Sequence, residues 1–152
     1  MREHNSSVFI RSIVLGGVDG IITTFTIIMA SLFTSSKTNV VAVVGTASLF
    51  SDGMSMAVSE YLSNSNDKNA IYMSIACFGS FVVCGGISLL VFVFGRNAYL
   101  GSGAVALFEL FCLGAFRSYL RQENFLYGVA QTTLLGGTAF GVAAGVAALV
   151  GS

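Results

Sequence analysis

Five long apolar runs fill almost the whole chain, separated by polar breaks of three to eight residues. They cover about 9–33, 39–62, 70–94, 98–118 and 127–150. A helix needs about 20 predominantly apolar residues to cross the hydrocarbon core, and each run supplies them. The breaks are Thr34–Thr38, Ser63–Asn69, Gly95-Arg96-Asn97 and Tyr119–Leu126. A membrane β-barrel needs alternating segments of about ten residues, so continuous runs exclude it. The chain has no Pro, and only 9% of its residues are charged, against about 25% in soluble domains. A soluble fold is excluded: the sequence specifies an all-α integral membrane protein with five transmembrane helices.

The first run is too long for a signal peptide, starts after a polar octet and lacks a small-x-small cleavage site, so it reads as a retained span. The octet, which holds the single His4, is expected to be an unstructured tail. No break is long enough for a soluble module, and residues 1–152 read as one transmembrane domain. Arg2, Arg11, Lys68, Arg117 and Arg121 fall on one side of the membrane, Lys37 and Arg96 on the other. The positive-inside rule therefore puts the N-terminus in the cytoplasm. Seven basic residues balance seven acidic ones, so there is no basic face for nucleic acid.

Four of the seven acids, Asp19, Asp52, Glu60 and Glu109, lie inside the runs. A charge at the bilayer centre costs about 2.5–3.5 kcal/mol on insertion scales. One such residue is commonly a hydrogen-bonded, protonated carboxyl; four without a buried Lys or Arg are harder to explain that way. Asp19, Asp52 and Glu109 each lie about ten residues from the cytoplasmic end of their run, about 15 Å deep at 1.5 Å per residue. Three carboxyls from three helices at one level are the makings of a single site.

The second run adds a stripe, Ser48, Asp52, Met56 and Glu60, four residues apart and so on one helical face. A lone Met is usually packing, but between two acids a thioether facing a polar path is as good a reading. Oxygen ligands with one thioether suit Fe²⁺ or Mn²⁺ better than Ca²⁺. Burial favours a protonated carboxyl and a bound cation favours the ionised one, so such a site exchanges protons for metal. Gly20 and Gly53, each following an Asp, allow a backbone or ion to approach. The metal candidates are thus Asp19, Asp52, Met56, Glu60 and Glu109.

The segment Ser12-Ile13-Val14-Leu15-Gly16-Gly17-Val18-Asp19-Gly20-Ile21-Ile22-Thr23 resembles the first-helix motif of the vacuolar iron transporter family. Ser51-Asp52-Gly53-Met54-Ser55-Met56-Ala57-Val58-Ser59-Glu60-Tyr61-Leu62-Ser63 resembles its second-helix motif in the bacterial and nodulin-like form. Leu113-Gly114-Ala115 and the Gly136-Gly137 to Gly145 run are similar to its last two helices. The resemblance implies a homodimer of five-helix chains with cytoplasmic N-termini. It implies that Fe²⁺, and often Mn²⁺, leaves the cytosol in exchange for H⁺, as a transported substrate with no permanently bound cofactor. Asp19 and Met56 match the family's intramembrane metal residues, and Asp52 and Glu60 match acids of the bacterial-like branch. Where plant-type members carry a Glu two turns before that Met, this chain has Ser48. The glutamate-rich cytoplasmic domain of vacuolar members is replaced by Ser63–Asn69. Glu109 matches no family ligand, and its candidacy rests on depth. The resemblance implies a vacuolar or other endomembrane location, or the plasma membrane in a prokaryote.

Gly137, Gly141 and Gly145 form a small-residue ridge suited to close helix packing, within the chain or between copies. Cys77, Cys84 and Cys112 lack metal-ligand spacing and read as apolar thiols. No nucleophile-and-base set is present, and Gly16-Gly17 lies within a span, outside any nucleotide-loop context, so the chain is not expected to be an enzyme. The alternative to transport is a non-transporting membrane subunit that pairs through its Gly-rich helices.

Overall fold

The computed structural model describes residues 2–34, 36–95, 98–122 and 124–151, with the side chains of 2–7, 98, 121 and 151 left aside. Backbone groups in hydrocarbon must find partners within the chain, and continuous helices provide them. Five helices form: α1 (Arg2–Phe33), α2 (Thr38–Ser63), α3 (Ala70–Phe94), α4 (Ala98–Arg121) and α5 (Phe125–Gly151). Their membrane-crossing parts are Val8–Phe33, Thr38–Ser63, Ala70–Phe94, Tyr99–Leu120 and Phe125–Val150. Among the described residues the protein is all-helical, with five helices long and apolar enough to span, as the apolar runs require.

One expectation fails. The polar octet is helical from Arg2 onward and extends α1 beyond its apolar part. No Pro or Gly occurs before Gly16, so nothing in the sequence interrupts the helix where the apolar run begins. The connections are tight. Between α2 and α3, Asp67 turns the chain: its N–H bonds the Asn64 carbonyl at 2.8 Å, and its Oδ1 accepts from the Asn69 N–H at 2.8 Å. After α4, Gln122 takes a left-handed conformation, φ 53°.

α1 is the central helix and touches all four others. Its closest neighbour is α3, which runs parallel to it. That crossing is made by glycines: a Cβ on Gly16 would strike the Cys77 carbonyl, and one on Gly20 would lie 3.0 Å from the Phe81 Cα. From the α3 side, a Cβ on Gly85 would lie 2.7 Å from both the Gly20 carbonyl oxygen and Thr24 Oγ1. Since lipid chains are as apolar as the side chains, membrane helices associate by such close packing rather than by apolar burial.

α2 packs on α3 and α1, and α5 on α4 and α1; among the described residues α2 and α4 share no contact. The core has three parts. Ile21, Ala106, Leu110 and Phe140 join α1, α4 and α5, and Ile28, Val41 and Phe92 join α1, α2 and α3 toward the other end. Leu49, Phe81 and Leu89, with Met56 against them, seal α2 to α3. Outside this core the helices present large apolar side chains, such as Val43, Phe94, Leu100 and Leu149.

Candidate metal site within the membrane

Depth follows from the span ends. Asp19 lies eleven residues beyond Val8, Asp52 eleven before Ser63 and Glu109 eleven before Leu120, each about 16 Å in at 1.5 Å per residue. Direction around the helix axis then separates them.

On α2 the buried seam is Val41, Gly45, Leu49, Gly53, Ala57 and Glu60. The stripe of Ser48, Asp52 and Met56 sits one residue before that seam, about 100° round the helix, and Glu60, three residues after Ala57, falls on the seam itself. Exposure therefore changes along it: Asp52 is exposed, Met56 is half-buried and Glu60 is only 5% exposed. Gly53 makes the difference locally. It lets α2 seat against the rings of Phe78 and Phe81, where a Cβ would meet carbon atoms at 3.2 Å. That seating turns the preceding residue, Asp52, outward.

Asp19 is half-buried on α1, between the two glycines that seat α1 on α3. The Asp52 carboxylate lies within electrostatic reach of it. Asp52 accepts from its neighbour Ser51 Oγ at 3.1 Å. Asp19 and Glu60 both lie within electrostatic reach of the fully buried Cys77. The acids of α1 and α2 thus gather along one side of α3.

Glu60 marks the mouth of this lobe, three residues from the end of its span. Ser12 Oγ of α1 donates to Glu60 Oε1 at 2.5 Å, and Asn64 Nδ2 donates to the same oxygen at 3.2 Å. Asn64 Nδ2 also donates to the Glu60 carbonyl at 2.9 Å, which ties the carboxylate to the end of its own helix. Ser12 is fully buried. The donors of this carboxylate are a hydroxyl and an amide, which position it without neutralising it.

Glu109 is held elsewhere. Its Oε2 accepts from Ser88 Oγ of α3 at 2.7 Å, and its Oε1 is buried with no hydrogen-bond partner. Cys84, also on α3, lies within its electrostatic reach. Glu109 therefore sits at the α3–α4 contact, while Asp52 is on α2, which α4 does not touch among the described residues. Among the described residues, no three of His, Cys, Asp and Glu converge as a metal cage within one chain.

Sequence reasoning missed Ser12, Asn64 and Ser88, the residues that position the two glutamates. A Ser in an apolar run was the available signal, but the chain has many and most bond to their own helix carbonyls, as Ser59 and Ser74 do. The ridge of Gly137, Gly141 and Gly145 is uncovered: a Cβ added at any of the three would meet nothing on this chain within 4 Å. Cys77 is buried, Cys84 half-buried and Cys112 exposed.

Fold and site define a five-span helical membrane protein with paired carboxylates deep in adjacent helices and a third, positioned one at the mouth. The VIT family matches residues 10–76 and 64–148, most of the chain, and the protein belongs to that family. It is a family of transporters rather than enzymes. A vacuolar iron transporter of Toxoplasma gondii (strain ATCC 50861 / VEG) is 32% identical over 68 residues, 45% of this chain and 22% of that protein. The aligned stretch is thus about a fifth of the relative's own length. No solved structure matches the chain.

Proposed function

We propose that this chain is one protomer of a homodimeric divalent-metal/proton antiporter that moves Fe²⁺, and Mn²⁺, out of the cytosol. Membership of the VIT family and the similarity to a vacuolar iron transporter support metal as the cargo. The observation that carries the mechanism is the pair Asp19 and Asp52: two carboxylates on adjacent helices, at one depth, with Asp52 within electrostatic reach of Asp19. Two such groups repel when both are ionised, and either a divalent cation or protons relieve the repulsion. Binding the metal releases protons and binding protons releases the metal, which is the exchange an antiporter needs.

Asp52 also supports the dimer. An exposed carboxylate eleven residues inside a span costs about 2.5–3.5 kcal/mol against lipid, so it faces a hydrated path or a second copy. With Asp19 and Met56 supplied by both protomers, oxygen and thioether ligands reach the number a first-row metal requires. Glu60, fixed by Ser12 and Asn64, is the carboxylate at the mouth. Glu109 is the remaining acid for the path, on the α3–α4 side. The basic residues on the side of the α1 N-terminus put that side in the cytoplasm. Residues 1–152 form a single transmembrane domain in a vacuolar or other internal membrane, or in the plasma membrane of a prokaryote.

The experiment is uptake of Fe²⁺ and Mn²⁺ into proteoliposomes under an imposed pH gradient, with internal pH recorded alongside. Wild type takes up metal with countermovement of protons, and Asp19→Asn, Asp52→Asn and Met56→Ala abolish both signals while the helices still form. Repeated absence of flux from wild type refutes the reading. It would favour the alternative of a non-transporting subunit that pairs through its glycine-rich helices, a role to which the uncovered ridge on α5 is suited.

A further inference from the structure

Two buried oxygens inside the bundle have no hydrogen-bond partner, although both approach one stretch of α3: Thr24 Oγ1 of α1 and Glu109 Oε1 of α4. Thr24 is fully buried, and its Oγ1 lies 2.7 Å from the point where a Cβ on Gly85 would stand. Glu109 reaches α3 one turn further on, where its Oε2 accepts from the fully buried Ser88. Gly85 and Ser88 both belong to the buried seam of α3, and residues three apart share a helix face. The remaining side is closed by α1 against α4. Ile21, one turn before Thr24, packs with Ala106 and Leu110, which lie on either side of Glu109 along α4.

A polar atom buried without a partner costs about 1–3 kcal/mol, and folded proteins resolve such atoms with a bound water or ion. A threonine hydroxyl can donate and a carboxylate can accept. Since both oxygens are without a partner, they stand too far apart to bond directly, and something must bridge them. Charge decides what fits. The sequence has no Lys or Arg in 12–36, 69–95 or 97–116, so α1, α3 and α4 bring no cation to this depth. Ser88 positions the carboxylate without neutralising it. A bridging water leaves that charge uncompensated, where it costs about 2.5–3.5 kcal/mol. Protonation cancels the charge but leaves Thr24 Oγ1 without a partner. A monovalent cation answers both needs, whereas a divalent one leaves a net positive charge. The donor set also fits a hard cation, since it is all oxygen: one carboxylate, two hydroxyls and the Gly20 carbonyl, 2.7 Å from the same Gly85 position.

We propose that Glu109, Ser88 and Thr24 form a binding site for one alkali cation, which bridges Glu109 Oε1 and Thr24 Oγ1 at the junction of α1, α3 and α4. The site gives Glu109 a ligand of its own, apart from the Asp19–Asp52 pair. Among the described residues α4 does not touch α2. On α1, Asp19 and Thr24 are five residues apart and so point about 140° from each other. The site ties the central helix to α4 through α3 and stands whether or not the chain transports divalent metal.

The test is equilibrium binding of radioactive Na⁺ to the purified full chain in detergent, with choline chloride holding the ionic strength constant. Wild type binds Na⁺ saturably, and equimolar Mn²⁺ does not displace it. Glu109→Gln lowers the affinity at least about tenfold, the effect of losing the charged ligand, and Thr24→Val lowers it about fivefold. Thr24→Ser, which keeps the hydroxyl, binds within about twofold of wild type, and Ser59→Ala on α2 binds as wild type does. Wild type without saturable Na⁺ binding overturns the proposal and leaves a bridging water, and this measurement decides even if a variant fails to fold. Folded Glu109→Gln or Thr24→Val protein with undiminished affinity overturns it too. So does displacement by equimolar Mn²⁺, because Glu109 then belongs to the divalent-metal site.

Discussion

Removing the Ser12 hydroxyl isolates the contact that positions the mouth carboxylate. Ser12 Oγ lies 2.5 Å from Glu60 Oε1, within the range of charge-assisted O–H···O⁻ bonds. Ser12 is fully buried and Glu60 5% exposed, so water has little access to replace the lost donor. Ser12→Ala leaves Oε1 with one donor, Asn64 Nδ2 at the longer distance of 3.2 Å. A hydrogen bond to a charged group contributes about 1.5–3 kcal/mol, and a neutral one about 0.5–1.5. Ser12→Ala is therefore expected to destabilise the wild type by about 2 kcal/mol and the Glu60→Gln protein by about 1, a coupling of about 1 kcal/mol. The Val8 carbonyl at 3.2 Å is the alternative acceptor for the single Ser12 proton, and Ser12→Ala removes it in both backgrounds. The assay is reversible unfolding from mild-detergent micelles into SDS, followed by far-UV circular dichroism because the chain has no Trp. Equal costs in the two backgrounds, or a wild-type cost under about 0.5 kcal/mol, refute the role assigned to the bond.

The same unfolding assay reads four further expectations. Gly20→Val drives a side chain into the Phe81 backbone, which cannot step aside, and is expected to destabilise by at least about 2 kcal/mol. Gly141→Ala, with nothing within 4 Å of the added methyl, is expected to be neutral or to stabilise the isolated chain by up to about 1 kcal/mol. Ser88→Ala removes the donor to Glu109 Oε2 when Oε1 already has none, at an expected loss of about 1–3 kcal/mol. Gln122→Gly relieves the left-handed residue after α4, for an expected gain of about 1 kcal/mol in the midpoint-derived stability.

Much of the architecture was legible because it depends on one-dimensional quantities. The length of each apolar run decides that it spans, and the polar breaks decide where it stops. The left-handed Gln122 and the helical octet were not legible: neither carries a Gly or Pro signal, and helix continuation outside a membrane has no hydropathy signature. Within the site, Asp19 and Asp52 were legible as carboxylates at one depth, and the packing adds that Asp52 lies within electrostatic reach of Asp19. The hydroxyls that bind the glutamates were not legible, since Ser12 and Ser88 look like the many serines that bond back to their own helix.

Sequence by itself determined that this is a five-helix membrane protein with four acids within its spans, and how deep each acid lies. Counting residues along a helix of fixed rise gives depth directly. Tertiary structure alone decided direction. The glycine-mediated seating of α1 and α2 on α3 gathers Asp19, Asp52 and Glu60 along one side, and the Ser88 bond draws Glu109 to the α3–α4 contact at the same count of residues. Rotation about a helix axis is set by which face finds a partner, and that partner lies on another segment of the chain.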